Sequence, residues 1–215
     1  MKRLIATLIA LAAVLPLCAQ SRYNYQKRSL FEALPITGRD VVFLGNSITD
    51  GGEWAELFGC KHIKNRGISA DRADWMFDRL DPIVSGHPRK LFLMIGTNDL
   101  SAGRTPEDIV ADITKIVDRF ASESPRTKFY VQSILPVNPN IDGYSNRVVN
   151  KNELIVRTNE LLRAMCSDKG IVYIDLHSVL SDAQGLLNSD YTNDGLHLMG
   201  SGYLLWRDTV KEYVR

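Results

Sequence analysis

Ser47 and His197 are the two residues whose types call most directly for chemistry. A serine hydroxyl is a poor nucleophile at neutral pH, and a histidine is the usual base that takes its proton. Ser47 stands in Gly45-Asn46-Ser47-Ile48-Thr49-Asp50-Gly51-Gly52, directly behind the apolar run Val41–Leu44. A serine at that point sits in a sharp strand-to-helix turn, with its hydroxyl above the sheet and helix N–H groups facing the same space. The segment equally suits a serine that merely caps the helix, and on its own it leaves both readings open. It does not read as a phosphate cradle, because it has neither a Lys-Ser/Thr ending nor a G-x-G-x-x-G pattern. Nor is it the G-x-S-x-G elbow of another hydrolase class.

Three further segments could complete such a site. Asp194-Gly195-Leu196-His197 carries a carboxylate three residues before a histidine, near enough to orient the ring if the segment is a tight loop. Gly96-Thr97-Asn98-Asp99 follows another apolar run, and the Asn98 side chain could donate to a developing oxyanion. Gly67, in Asn65-Arg66-Gly67-Ile68-Ser69-Ala70-Asp71, could bring backbone close to a ligand or simply make a turn. Among the remaining histidines, His62 borders a weak apolar run and His87 lies in a Gly-Pro loop. His177, two residues after Asp175, is the strongest competitor of His197. An Asp175/His177/Asp194/His197 metal cluster can be drawn, but its spacing matches no ligand pattern. That spacing gives no reason to expect a metal.

These segments need elements to hold them. Five short apolar runs read as strands: Val41–Leu44, His62–Lys64, Leu91–Ile95, Phe129–Ile134 and Ile171–Ile174. Runs without polar alternation suit strands buried on both faces of a parallel sheet. Helical stretches lie between them. One begins over Trp54–Phe58 and another covers Ala70–Ile83. A third opens with Thr105-Pro106-Glu107-Asp108 and runs to about Ala121 with Ile109, Ile113, Ile116, Val117 and Phe120 on one face. Arg147–Lys169 is a fourth, closed by Gly170, and Ser201–Val214 ends the chain. Alternation of this kind means βαβ units, hence an α/β domain with a helix-covered parallel sheet. Ligands bind such sheets at the carboxyl ends of the strands, which is where the polar segments fall.

Taken in order, the four segments resemble the sequence blocks of the SGNH/GDSL hydrolases. Gly45-Asn46-Ser47-Ile48-Thr49 is similar to block I, with Asn46 where many members carry aspartate. Gly67 resembles the block II glycine, Gly96-Thr97-Asn98-Asp99 block III, and Asp194-Gly195-Leu196-His197 block V. The resemblance runs from about Val41 to the C-terminus. It implies a flavodoxin-like three-layer α/β/α sandwich with a five-stranded parallel sheet. It also implies Ser47 as nucleophile, His197 as general base and acid, and Asp194 as the residue orienting His197. The backbone N–H groups of Ser47 and Gly67 and the side chain of Asn98 would form the oxyanion hole. The implied activity is a carboxylic ester hydrolase without cofactor. Acetyl esters of carbohydrates are the preferred substrate, with a lysophospholipase or platelet-activating-factor-acetylhydrolase-like lipid esterase as the alternative. A non-catalytic glycan- or phosphate-binding module is the alternative of another class. The polar stretch Pro136–Arg147, with Asn138, Asn140, Asp142, Tyr144 and Asn146, could line a sugar site or be a solvated loop.

The chain has 215 residues, room for one compact domain. Its start differs from the rest. Met1-Lys2-Arg3 is basic, Leu4–Leu17 is apolar, and Cys18-Ala19-Gln20 follows, which is the pattern of a secretory signal peptide cut after Ala19. The apolar run falls short of the roughly 20 residues that span a membrane. Acylation at Cys18 competes less well, because Leu17 stands where a small residue is expected. The expected organisation is a signal peptide at 1–19, a polar irregular leader at 20–38 and the hydrolase domain at 39–215. The expected location is periplasmic or extracellular. The formal net charge is +1, and loss of Lys2 and Arg3 with the leader makes it −1. Nothing in that balance calls for nucleic acid or an anionic membrane as partner, and the resemblance implies a small-molecule or glycan ester as the substrate. Cys60 and Cys166 could pair in an exported protein or simply be two small buried residues.

Overall fold

The computed structural model of the chain describes residues 15–143 and 151–215. Most of the proposed signal peptide, and Tyr144, Asn146 and Arg147 of the polar stretch, lie outside the described residues. Five strands form one parallel sheet: β1 (Val41–Gly45), β2 (Ile63–Gly67), β3 (Lys90–Met94), β4 (Lys128–Gln132) and β5 (Val172–Ile174), in the order β2-β1-β3-β4-β5. Each expected apolar run supplies one of them. The helices, in chain order, are α1 (Leu15–Ala33), α2 (Ser47–Asp50), α3 (Trp54–Leu57), α4 (Asp81–Val84), α5 (Thr97–Ser101), α6 (Pro106–Glu123), α7 (Asn152–Lys169), α8 (Leu176–Leu180) and α9 (Gly200–Val214). Among the described residues, no helix is long and apolar enough to cross a membrane.

Every residue of β1 and β3 is buried, which is why these runs lack polar alternation. Successive side chains still divide between two layers. On one face Phe43, Phe92 and Tyr130 are register neighbours, and their rings stack with centroids 4.9 and 4.6 Å apart. Trp54 of α3 stacks on Phe43 at 4.1 Å, and Trp206 of α9 meets Trp54 edge-on at 4.7 Å. Burying one such side chain contributes roughly 1.5–3 kcal/mol, so this ladder is a main tie between the sheet and that helical layer. On the other face Phe129 meets Phe120 of α6, which packs with α7. The α6 start follows the expected signal: Thr105 Oγ1 accepts from the Asp108 N–H, and Pro106 fills the first turn.

Three local expectations change. Residues 20–33 are helical rather than irregular. α1 has no apolar stripe but contains good helix formers, and its polar side chains reach the domain. Lys27 Nζ and Tyr23 OH donate to Asp50, Asn24 Nδ2 donates to Asp71, and Arg28 pairs with Asp78. The expected helix over Ala70–Ile83 is instead a turn, a 3₁₀ segment at Met76–Arg79 and the single turn α4. Its early amides are drawn away by a distant acid, since the Ala73 N–H donates to the carboxylate of Asp99. The helix expected from Arg147 is described from Asn152.

Register brings the chemistry together. Gly45 pairs with Gly67 on one side and Met94 on the other, so the carboxyl ends of β2, β1 and β3 lie side by side. Ser47, Ala70 and Asn98 follow these ends within a few residues.

Candidate active site

The nucleophile turn is held from all sides. Asn46 has extended backbone and its Oδ1 accepts from the Ile48 N–H at 3.0 Å, starting α2 at Ser47. Tyr203 OH donates to the Ile48 carbonyl, Trp54 Nε1 to that of Thr49, and Asn65 Nδ2 to those of Asp50 and Gly52. Gly45 must lack a side chain, because a Cβ would lie 2.2 Å from Thr49 Oγ1 and 2.5 Å from the Met94 carbonyl oxygen. The N–H of Ser47, in the first turn of the helix, has no intrahelical acceptor.

Ser47 Oγ lies 3.0 Å from His197 Nε2, and His197 Nδ1 lies 2.7 Å from Asp194 Oδ2. The carboxylate accepts the Nδ1 proton, which leaves Nε2 as the lone pair facing the serine. Asp194 Oδ1 is also occupied, accepting from the N–H groups of Leu196 at 2.9 Å and His197 at 2.7 Å. Gly195, at φ +78°, makes this reversal possible, and its N–H goes to Thr192 Oγ1. Burial pushes the Asp194 pKa up. The His197 side chain and the two backbone donors outweigh it and hold the carboxyl below its ordinary range.

Asn98 sits at the start of α5 and donates one Nδ2 proton to the Asp71 carbonyl at 2.9 Å, leaving the other available. Gly67 departs from the expectation of a free donor. Its N–H is committed to Asn65 Oδ1 at 2.8 Å, and its missing side chain makes room for α2, since a Cβ would lie 2.1 Å from the Asp50 nitrogen. Three residues on, Ala70 takes a left-handed backbone at φ +64°, and its N–H has no partner among the described residues. Sequence reasoning missed Ala70 because alanine rarely adopts that conformation. The neighbouring Gly-Ile-Ser run drew attention to the glycine instead.

The other candidates fall elsewhere. His62 Nδ1 faces Asp40 at the amino ends of β1 and β2, and His87 Nδ1 faces Ser124. Among the described residues, no three His, Cys, Asp or Glu side chains converge on a metal position. Asn138 is buried rather than lining a surface site. Its N–H donates to the Gly195 carbonyl and its Nδ2 to that of Leu187, so it braces the Asp194 turn. Cys60 and Cys166 are free thiols, and burial pushes Cys166 up to about 11. A groove of about 540 Å³, lined by Phe120, Lys128, Tyr130 and Ile171 among others, lies at the opposite end of the sheet from Ser47.

Residues 43–205 match the model of the GDSL-like lipase/acylhydrolase family. The chain belongs to that family. This acylhydrolase is therefore a carboxylic ester hydrolase. It is 28% identical over 171 residues to the alpha1 subunit of platelet-activating factor acetylhydrolase IB from Pongo abelii, covering 76% of this chain and 70% of that one. It is 25% identical over 193 residues to N-acylneuraminate cytidylyltransferase from Escherichia coli O18:K1:H7, covering 88% of this chain but only 43% of that longer protein. A solved structure from Streptococcus pneumonia, described as that of a platelet activating factor, superposes with a TM-score of 0.84 at 28% identity, covering 98% of this acylhydrolase and 99% of that chain.

Proposed function

We propose that the acylhydrolase is an exported serine esterase that removes short acyl groups, acetyl above all, from carbohydrate esters. The observation that carries the mechanism is the line from Ser47 Oγ through His197 to Asp194, with spacings of 3.0 and 2.7 Å. As Ser47 Oγ attacks the ester carbonyl, its proton passes to His197 Nε2 and negative charge builds on the carbonyl oxygen. The N–H groups of Ser47 and Ala70 and the side chain of Asn98 stabilise that oxygen, with Ala70 taking the part first expected of Gly67. His197 then protonates the departing alkoxide as the acyl C–O bond breaks, leaving an acyl-serine and a free alcohol. Water attacks the acyl carbon, gives a proton to His197, and the acid leaves as Ser47 recovers its proton. Asp194 stays ionised throughout and stabilises the imidazolium.

Two observations support the substrate class. Asn140 and Asp142 are exposed beside the site, where the Gly143 backbone closes on Asp194: a Cβ there would lie 2.8 Å from Asp194 Cβ. A polar rim of that kind suits a hydroxyl-rich alcohol. The acetylhydrolase relative supports an acetyl group on the acid side. That relative also favours the second reading, a phospholipid acetyl ester. Export rests on the pattern of residues 1–19, and N-terminal sequencing of the processed protein should begin at Gln20.

The deciding experiment measures hydrolysis of p-nitrophenyl acetate, butyrate and octanoate, then of an acetylated oligosaccharide against an acetylated glycerophosphocholine. Ser47→Ala should lower kcat on the order of 10⁶-fold, and Asn98→Ala about 10²–10³-fold. Full activity in Ser47→Ala would sink the mechanism. Preference for octanoate or for the phospholipid would favour the lipid reading.

A further inference from the structure

We propose that Arg79 is a positioning residue that sets the spacing of the oxyanion donors from one buried guanidinium. The inference rests on the donor assignment proposed above. Arg79 is almost wholly buried, and its fork reaches three acceptors on separate stretches of chain. Nε donates to Asp71 Oδ2 at 2.7 Å, Nη1 to the Arg66 carbonyl at 2.8 Å and Nη2 to the Gly45 carbonyl at 3.0 Å.

Each acceptor lies at the root of one donor. Gly45 is two residues before Ser47. Arg66 is the penultimate residue of β2, four residues before Ala70. Asp71 directly follows Ala70, and its carbonyl receives the Asn98 side chain. Gly45 and Gly67 are register partners, so the guanidinium spans the point where β1 and β2 part company. The three donors are thus referenced to a single rigid plane, and a shift of that plane moves all of them relative to the substrate oxygen.

Stability alone is a weak reason for such a pair. Taking both ions out of water is costly, and a well-packed apolar pair often serves a core as well. What a guanidinium offers is geometry. Its planar donors can serve a carboxylate and two carbonyls at once, whereas a lysine presents its donors from one point. Asn24 of α1 donates to the remaining Asp71 oxygen at 3.3 Å, which completes the fixing of that carboxylate. The family match begins at residue 43, so this outer brace comes from a part of the chain that the family model does not include.

The test uses the full chain with Arg79→Lys, Asp71→Asn and the double variant. Folding is checked by circular dichroism melting, and kcat is expressed per active site titrated to completion with a fluorophosphonate. Arg79→Lys should lower kcat about tenfold to a hundredfold, the size expected of a small misplacement. KM should stay within about twofold and the pH profile should keep its shape, since His197 is untouched. Asp71→Asn, which keeps an acceptor for the fork, should show a smaller loss of the same sign. The double variant should be no slower than Arg79→Lys, because both act through one link. The proposal is overturned by a folded Arg79→Lys with wild-type kcat, by a loss confined to KM, or by additive losses in the double variant. If Arg79→Lys does not fold, Asp71→Asn alone decides: lowered kcat at constant KM supports the proposal, and wild-type kcat overturns it. Should Ser47→Ala and Asn98→Ala keep full activity, the mechanism has failed rather than the role of Arg79.

Discussion

Two segments of this chain set a histidine just after an aspartate, and only one of them makes a dyad. In Asp175-Leu176-His177 the aspartate stands at the start of α8. Its carboxylate accepts from the Ser178 N–H at 3.0 Å, from the Ser178 hydroxyl and from Arg163. His177 is left with a buried Nε2 that has no partner among the described residues. In Asp194-Gly195-Leu196-His197 one more residue and a glycine at φ +78° turn the chain back, so one carboxylate holds both the His197 backbone and its ring. At a helix start the nearby N–H groups capture the aspartate, while a reversed turn delivers it to the ring. The second difference lies on the far side of each ring. Nε2 of His197 meets a serine held above the sheet, and Nε2 of His177 has no hydrogen-bond partner among the described residues.

The largest test of that contrast removes each ring. His197→Ala should lower kcat on the order of 10⁴–10⁶-fold, because the serine then has no base. His177→Ala should leave kcat per titrated site within about threefold of wild type, since its ring touches nothing in the proposed reaction. Equal losses in the two variants would break the distinction.

A smaller effect should follow from the turn itself. Gly195→Ala places a side chain at a left-handed backbone position, where an L-residue costs roughly 1–2 kcal/mol. The cost can appear as a lower melting temperature, and it can be relieved in part as the turn relaxes and carries Asp194 off the ring. The expected outcome is both, with kcat reduced about tenfold to a hundredfold by the misplacement. A wild-type melting temperature and kcat would mean that the backbone at 195 does not set the dyad.

The contrast also marks how far the sequence could be read. Ser47, Asn98, Asp194 and His197 were legible because each lies within a few residues of the strand end, glycine or helix start that presents it. The parallel sheet was legible because runs such as Leu91–Ile95 are buried on both faces and cannot alternate. What escaped depends on partners remote in sequence or on backbone angles. Gly67 and Ala70 cannot be ranked as donors until Asn65 is seen to occupy the first and a positive φ to aim the second. Arg79 and Asp71 carry no sequence signal that pairs them, and only the fold shows them buried against each other. α1 went unread because its anchors are single polar contacts to Asp50, Asp71 and Asp78, which leave no apolar period. The helix expected from Ala70 is broken by Asp99, a carboxylate 26 residues beyond the Ala73 N–H that it captures.

The smallest expected effect concerns what a buried ring with an unpartnered Nε2 does to stability. Burial pushes the His177 pKa below its ordinary value, and the charge of Asp175 offsets this only in part. In the unfolded chain the ring takes up a proton near pH 6.5. The folded protein must go to lower pH before it does the same. Between those two values the unfolded state binds more protons, so stability falls as pH is lowered. The contribution is fully present above about pH 6.5 and is lost as pH drops towards the folded pKa. His177→Gln removes the titration without adding charge. Its melting temperature should therefore fall less than that of the wild type between pH 7.5 and pH 5. A parallel fall in the two proteins would mean that Asp175, occupied as it is by Arg163 and Ser178, still holds enough field at the ring to cancel the cost of burial.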